Sequence, residues 1–81
     1  MIKTGDRVIA KRMAADSFYL QAEGIVTDIR NGFVKFKADY VKDRYSNEWK
    51  KHPTSCATST RIENVIKIYT PEQSIKFQIT Q

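Results

Sequence analysis

Between Tyr40 and Lys51 the chain interleaves rings and cations: Tyr40, Lys42, Arg44, Tyr45, Trp49, Lys50 and Lys51. Cations neutralise a phosphate backbone and exposed ring faces stack on bases, so this mixture suits a nucleic-acid or partner-binding surface. Tyr19 adds a further ring, and Lys35 and Lys37 add cations from a neighbouring strand. A plainer reading stands beside this one. Asp43 and Glu48 offset part of the charge, and large aromatics equally serve to cap the open end of a small β domain.

Reactive chemistry has far less to work with. His52 and Cys56 stand four positions apart, but a zinc site needs four protein ligands or three plus water, and the chain has no other histidine or cysteine. A Cys56 nucleophile beside His52 lacks an orienting third group, and a small buried thiol is the expected alternative. There is no paired-carboxylate signature, phosphate-cradling glycine loop or Ser-His-Asp set. The expectation is a protein without catalytic residues, metal ligands or cofactor.

The elements that must position these side chains belong to one short chain. Its 81 residues fit a single domain, and 41% apolar with 11% aromatic residues is the composition of a folded one. Lysine and arginine number 14 against 9 acids, a net +5 that favours anionic partners. The lone cysteine and the lack of an apolar leader or spanning stretch lead to the expectation of a cytoplasmic protein with no membrane association.

Asn31-Gly32 is the strongest local signal, a type I′ turn between apolar, β-branched runs. A two-residue turn predicts Arg30 opposite Phe33, Ile29 opposite Val34, Asp28 opposite Lys35 and Thr27 opposite Phe36. Ile25, Ile29, Val34, Phe36 and Ala38 would then share the inner face. Arg7 to Arg12 reads as the first strand and Met13 to Ser17 as a loop. Phe18 to Ile29 reads as a long strand broken by a bulge or bend at Glu23-Gly24, which would let both Val26 and Ile29 reach the core, and the hairpin's second strand ends near Asp39.

The spacing of Tyr40, Tyr45 and Trp49 predicts a short helical turn ended before His52-Pro53. Thr54 to Thr60 reads as a strand with Cys56 and Thr58 on one face, Arg61 to Val65 as a single helical turn, and Ile66 to Tyr69 as a last strand. Thr70-Pro71-Glu72-Gln73 has the spacing of a capping box, yet Ile75, Phe77 and Ile79 alternate with Lys76, Gln78 and Thr80. The alternation predicts a C-terminal strand that could add to an edge or pair with a second copy in a homodimer.

Gly5-Asp6-Arg7-Val8, Gly24-Ile25-Val26, Val34-Lys35-Phe36 and Ile62-Glu63-Asn64-Val65-Ile66-Lys67-Ile68, in that order, resemble SH3-like barrels over roughly residues 4 to 69. The resemblance implies an all-β, small SH3-like five-stranded barrel over residues 1–69. A single helical turn precedes the last barrel strand, and residues 70–81 form an extension with an accessory C-terminal strand.

Tudor and chromo-barrel members surround a methylated lysine or arginine with rings, for which Tyr19, Tyr40, Tyr45 and Trp49 would be the walls and Asp39 or Asp43 the acid. KOW-type members track nucleic acid with a basic, aromatic face. Type II dihydrofolate reductases open with a similar Gly-Asp-Arg-Val and are loosely alike at Ala14-Ala15 and at His52-Pro53-Thr54-Ser55. Their Val-Gln-Ile-Tyr pore strand has no equivalent in Cys56-Ala57-Thr58-Ser59, so that activity is rejected.

The expected function is a non-catalytic module that binds nucleic acid, or a protein of a nucleic-acid-associated complex, through a basic aromatic loop from Tyr40 to Lys51. Its surface would comprise Tyr19, Lys35, Lys37, Tyr40, Lys42, Arg44, Tyr45, Trp49, Lys50 and Lys51. The alternative is a protein-docking or accessory subunit, either a Tudor-like peptide binder or an accessory of an electron-transfer complex.

Overall fold

The structure, a computed structural model, describes residues 1–14 and 17–79. Five antiparallel strands are β1 (Arg7–Ala10), β2 (Tyr19–Arg30), β3 (Phe33–Asp43), β4 (Trp49–Arg61) and β5 (Val65–Lys67). The helical turn expected before the last strand is the 3₁₀ turn Ile62–Asn64. A second 3₁₀ turn, Pro71–Gln73, leads into a short helix α1 (Ile75–Ile79). Of the loop read from Met13 to Ser17, Ala15 and Asp16 lie outside the described residues.

The Asn31-Gly32 hairpin forms as its turn chemistry dictates. Both residues take positive φ, 52° and 78°. Arg30 faces Phe33, Ile29 faces Val34 and Asp28 faces Lys35, but Thr27 does not face Phe36. Thr27 is the extra residue of a bulge, so Val26 stands opposite Phe36 and the facing of the strand before it is reversed. Ile25, expected inside, is therefore 39% exposed, while Val26 is buried.

A second register shift falls at Glu23-Gly24, where the glycine had signalled a bulge. Here β3 supplies the extra residue: Ala38 faces Gly24, Tyr40 faces Glu23, and Asp39 lies between. The core is built from one face of the strands: Val8, Ala10, Ala22, Val26, Val34, Phe36, Ala38 and Val41, with Met13 from the segment after β1. Cys56 and Thr58 share a face of β4, opposite Ala38 and Phe36.

The expected SH3-like barrel is not formed. The strand order is β4-β3-β2-β1-β5, and closure would require the two outermost strands to exchange backbone hydrogen bonds. Among the described residues β4 pairs only with β3, and the three-residue β5 pairs only with β1. The sheet is open, with an edge at each end. The motif order behind the barrel resemblance follows the succession of strands and turns, which an open sheet shares.

Two local expectations are also overturned. The stretch from Tyr40 to Lys51 is not a long loop: Val41 and Lys42 continue the ladder of β3 with both neighbours, and β4 begins at Trp49. The expected helical turn is the single turn at residues 44–46, closed by the Asn47 N–H donating to Asp43 O at 2.9 Å. The accessory C-terminal strand is replaced by helical structure, because its helix-start signals find partners. Gln73 Oε1 accepts the backbone N–H groups of Tyr69 at 2.6 Å and Thr70 at 3.1 Å. Ser74 Oγ accepts the Lys76 N–H at 3.2 Å. Thr80, the last residue of the supposed alternation, lies outside the described residues. The homodimer expected through that strand loses the strand that would have made it.

Candidate functional site

Two assemblies of polar side chains stand out, one at an end of the sheet and one beneath the C-terminal segment. The first arises where β1 ends, β2 begins and β3 ends. Lys11 and Arg12, leaving β1, meet Lys42 and Arg44 at the end of β3 around a cleft of about 470 Å³ floored by Met13, Leu20 and Gln21. No carboxylate lines it among the described residues, and none of these four cations is in an ion pair there. Four like charges around one concavity raise the local concentration of anions.

Each wall is held in place by hydrogen bonds. The Lys11 N–H donates to Asn64 O at 2.7 Å, and Arg12 O accepts from Thr60 Oγ1 at 2.8 Å. Arg44 Nε donates to Ser17 O at 2.9 Å, and the Arg44 backbone N–H to Phe18 O at 3.3 Å. Gln21, Lys42 and Trp49 form one cross-strand row, which sets the half-buried Trp49 beside the Lys42 wall.

The turn after β3 is organised by Asp43. Its Oδ1 accepts the N–H groups of Tyr45 at 2.6 Å and Ser46 at 3.2 Å, while Oδ2 meets Lys50 Nζ at 3.1 Å. The Tyr45 N–H foremost, followed by Lys50, holds the Asp43 carboxyl below its ordinary value of 3.8. A lowered carboxyl stabilises the folded turn above the ordinary value, and that contribution is lost as pH falls through the lowered one. Tyr45 and Ser46 amide resonances followed by NMR should therefore shift together with an apparent pKa below 3.8. A midpoint at or above that value would remove Asp43 as the organiser of the turn.

The second assembly is a buried network. Glu23, fully buried, accepts Arg7 Nε at 2.6 Å, Ser74 Oγ at 2.6 Å and the Ile75 N–H at 2.6 Å. Arg7 also reaches Asp39 with one nitrogen, at 2.8 and 3.0 Å to the two oxygens. Burial works against the charged Arg7 guanidinium, but its bonds to Asp39 and Glu23 outweigh it and raise Arg7 above the ordinary arginine range. Every buried side-chain polar atom among the described residues has a partner, so the network is closed on itself. It fastens the C-terminal segment to the sheet and leaves a groove beside Tyr40, Lys51, Pro71 and Phe77.

The residues singled out in the sequence are divided among these places. Lys42 and Arg44 line the basic cleft, and Tyr45, 86% exposed, follows Arg44 in the turn. Tyr40 is buried and lies with Lys51 in the groove under the C-terminal segment. Lys50 is paired with Asp43. Lys35 and Lys37 are exposed along β3, opposite Ser59 and Ala57. Tyr19 packs against the core and meets the His52 ring edge to face at 6.1 Å. The four rings do not form one cage: Tyr40 is covered, Tyr45 projects, and Tyr19 is engaged with His52 and the core.

Lys11 and Arg12 were missed. The dibasic step at the end of the first strand was the available signal for both. Glu23 was also missed as a partner, although a carboxylate within a strand of small and apolar residues marks a site that needs donors. Cys56 is half-buried, and burial pushes its thiol up. Among the described residues there is no group of histidine, cysteine and acidic side chains fit to hold a metal, and no helix long and apolar enough to cross a membrane. No known protein family, curated protein or solved structure matches the chain.

Proposed function

We propose that the protein is a non-catalytic module that binds nucleic acid through its phosphate backbone. The observation that carries the reading is the cleft walled by Lys11, Arg12, Lys42 and Arg44, in which the described residues place four cations and no carboxylate. The net charge of +5 acts in the same direction at longer range. Relative to the chemistry read along the chain, the binding surface moves from the whole stretch between Tyr40 and Lys51 to one end of the sheet. There, chain-distant Lys11 and Arg12 complete it.

The test is a titration with labelled single- and double-stranded DNA and RNA at two salt concentrations. Counterion release from about four neutralised phosphates weakens binding between 50 and 200 mM salt by about 50-fold for single strands and about 150-fold for duplex. The double substitution Lys42→Ala, Arg44→Ala should reduce affinity and lower the logarithmic salt slope by about 1.5 to 2. Absence of binding at low salt, or a slope indifferent to that change, would end the proposal.

A second reading has one observation in its favour. Ile66 and Ile25 stand 49% and 39% exposed on the face of the sheet away from the core, with Ile9 opposite Ile66. Apolar docking to a protein through that face would respond little to salt.

A further inference from the structure

Two exposed aromatic residues stand next to Arg44, one of the cleft's cations. Phe18 is 76% exposed and Tyr45 is 86% exposed, although burial is the usual use of rings this large. Both adjoin Arg44 along the backbone. The Phe18 carbonyl accepts the Arg44 N–H at 3.3 Å, and Tyr45 is the residue after Arg44. The Ser17 carbonyl takes Arg44 Nε at 2.9 Å, and the Tyr45 N–H is fixed by Asp43 at 2.6 Å, so both backbones are anchored. The half-buried Trp49 stands in the cross-strand row of Lys42 and Gln21, next to Lys42.

Building on the nucleic-acid reading above, we infer that the substrate class is single-stranded nucleic acid, with the Phe18 and Tyr45 rings stacking on bases while Lys11, Arg12, Lys42 and Arg44 hold the phosphates. In a duplex the base faces are already stacked on one another, leaving a projecting ring nothing to cover. A single strand offers base faces and backbone together, and a ring accepts any base because every base has a π face. Recognition is then tolerant of sequence.

The test uses the full chain with a labelled oligo(dT), an oligo(U) of equal length, a duplex of that length, and heparin as a polyanion without bases. Phe18→Ala and Tyr45→Ala should each weaken single-strand binding by about tenfold, leaving duplex and heparin binding within about twofold. Lys42→Ala with Arg44→Ala should weaken all four ligands. Both rings are exposed, so thermal melting of the variants should match the parent. Quenching of the Trp49 fluorescence should report single-strand binding from beside Lys42. If the parent binds duplex as tightly as single strands, or the ring substitutions leave single-strand binding within twofold, the inference fails while the backbone reading stands. If none of the ligands responds to the loss of Lys42 and Arg44, both fail.

Discussion

Gly24→Ala should cost at least about 3 kcal/mol of folding stability, above the usual range of about 1 to 3 kcal/mol for overpacking. A Cβ at this position would stand 2.0 Å from Lys37 O, 2.6 Å from Lys37 C and 2.7 Å from Ala38 Cα, all of them backbone atoms. No rotamer change relieves such a clash, so β2 and β3 must part where Asp39 bulges and Ala38 enters the core. Gly5 and Gly32 supply the contrast. Each has positive φ and open space where a Cβ would be, so alanine there meets only backbone strain of about 1 to 2 kcal/mol. Urea denaturation followed by Trp49 fluorescence should rank Gly24→Ala as the most damaging of the three. A domain of this size holds roughly 4 to 12 kcal/mol in all, so this one methyl group consumes a large share. A loss below about 1 kcal/mol would show that the two strands can separate freely at the bulge.

The features legible in the sequence are those that neighbouring residues decide. Asn31-Gly32 sets its own turn, and the three pairs nearest to it follow, because register propagates from a two-residue loop until something interrupts it. The interruption at Thr27 leaves no mark in composition: threonine suits a regular strand as well as a bulge. One extra residue there was enough to turn Ile25 from the expected inner face to the outer one. Closure of the sheet is a global property, and no local pattern distinguishes a closed five-stranded barrel from an open sheet of the same order. The tail failed for a different reason. Its two signals conflicted, and the capping chemistry of Thr70, Gln73 and Ser74 prevailed because the buried Glu23 supplies an acceptor for the Ile75 N–H, 52 positions away. The basic cleft was half legible. Lys42 and Arg44 lay in the stretch that drew attention, whereas Lys11 and Arg12 reach the site only because β1 ends beside them.

That same acceptor makes Glu23 the second position where one substitution should have a large effect. Glu23→Ala removes a fully buried carboxylate from three donors. Arg7 keeps Asp39, but the buried Ser74 hydroxyl and Ile75 N–H lose their acceptor. Breaking a buried charge network on one side costs about 3 to 5 kcal/mol, mostly through the partners left behind. Glu23→Gln should recover little of this. One oxygen accepts the Ile75 N–H and the other accepts both Arg7 and Ser74, so the amide NH₂ must face a donor in either orientation. The loss has a definite place, since Glu23 joins the sheet to the segment that covers Tyr40. Deleting residues 70–81 from the parent should therefore cost stability, and the same deletion in the Glu23→Ala background should cost less than half as much. Such non-additivity is expected of groups in one hydrogen-bond network. Amide exchange at Ile75 and Lys76 should meanwhile rise toward unprotected rates in Glu23→Ala, with protection kept at Phe36 and Val41. Additive costs would mean that the C-terminal segment is held by packing on Tyr40 instead, and that the carboxylate serves only to keep Arg7 in place.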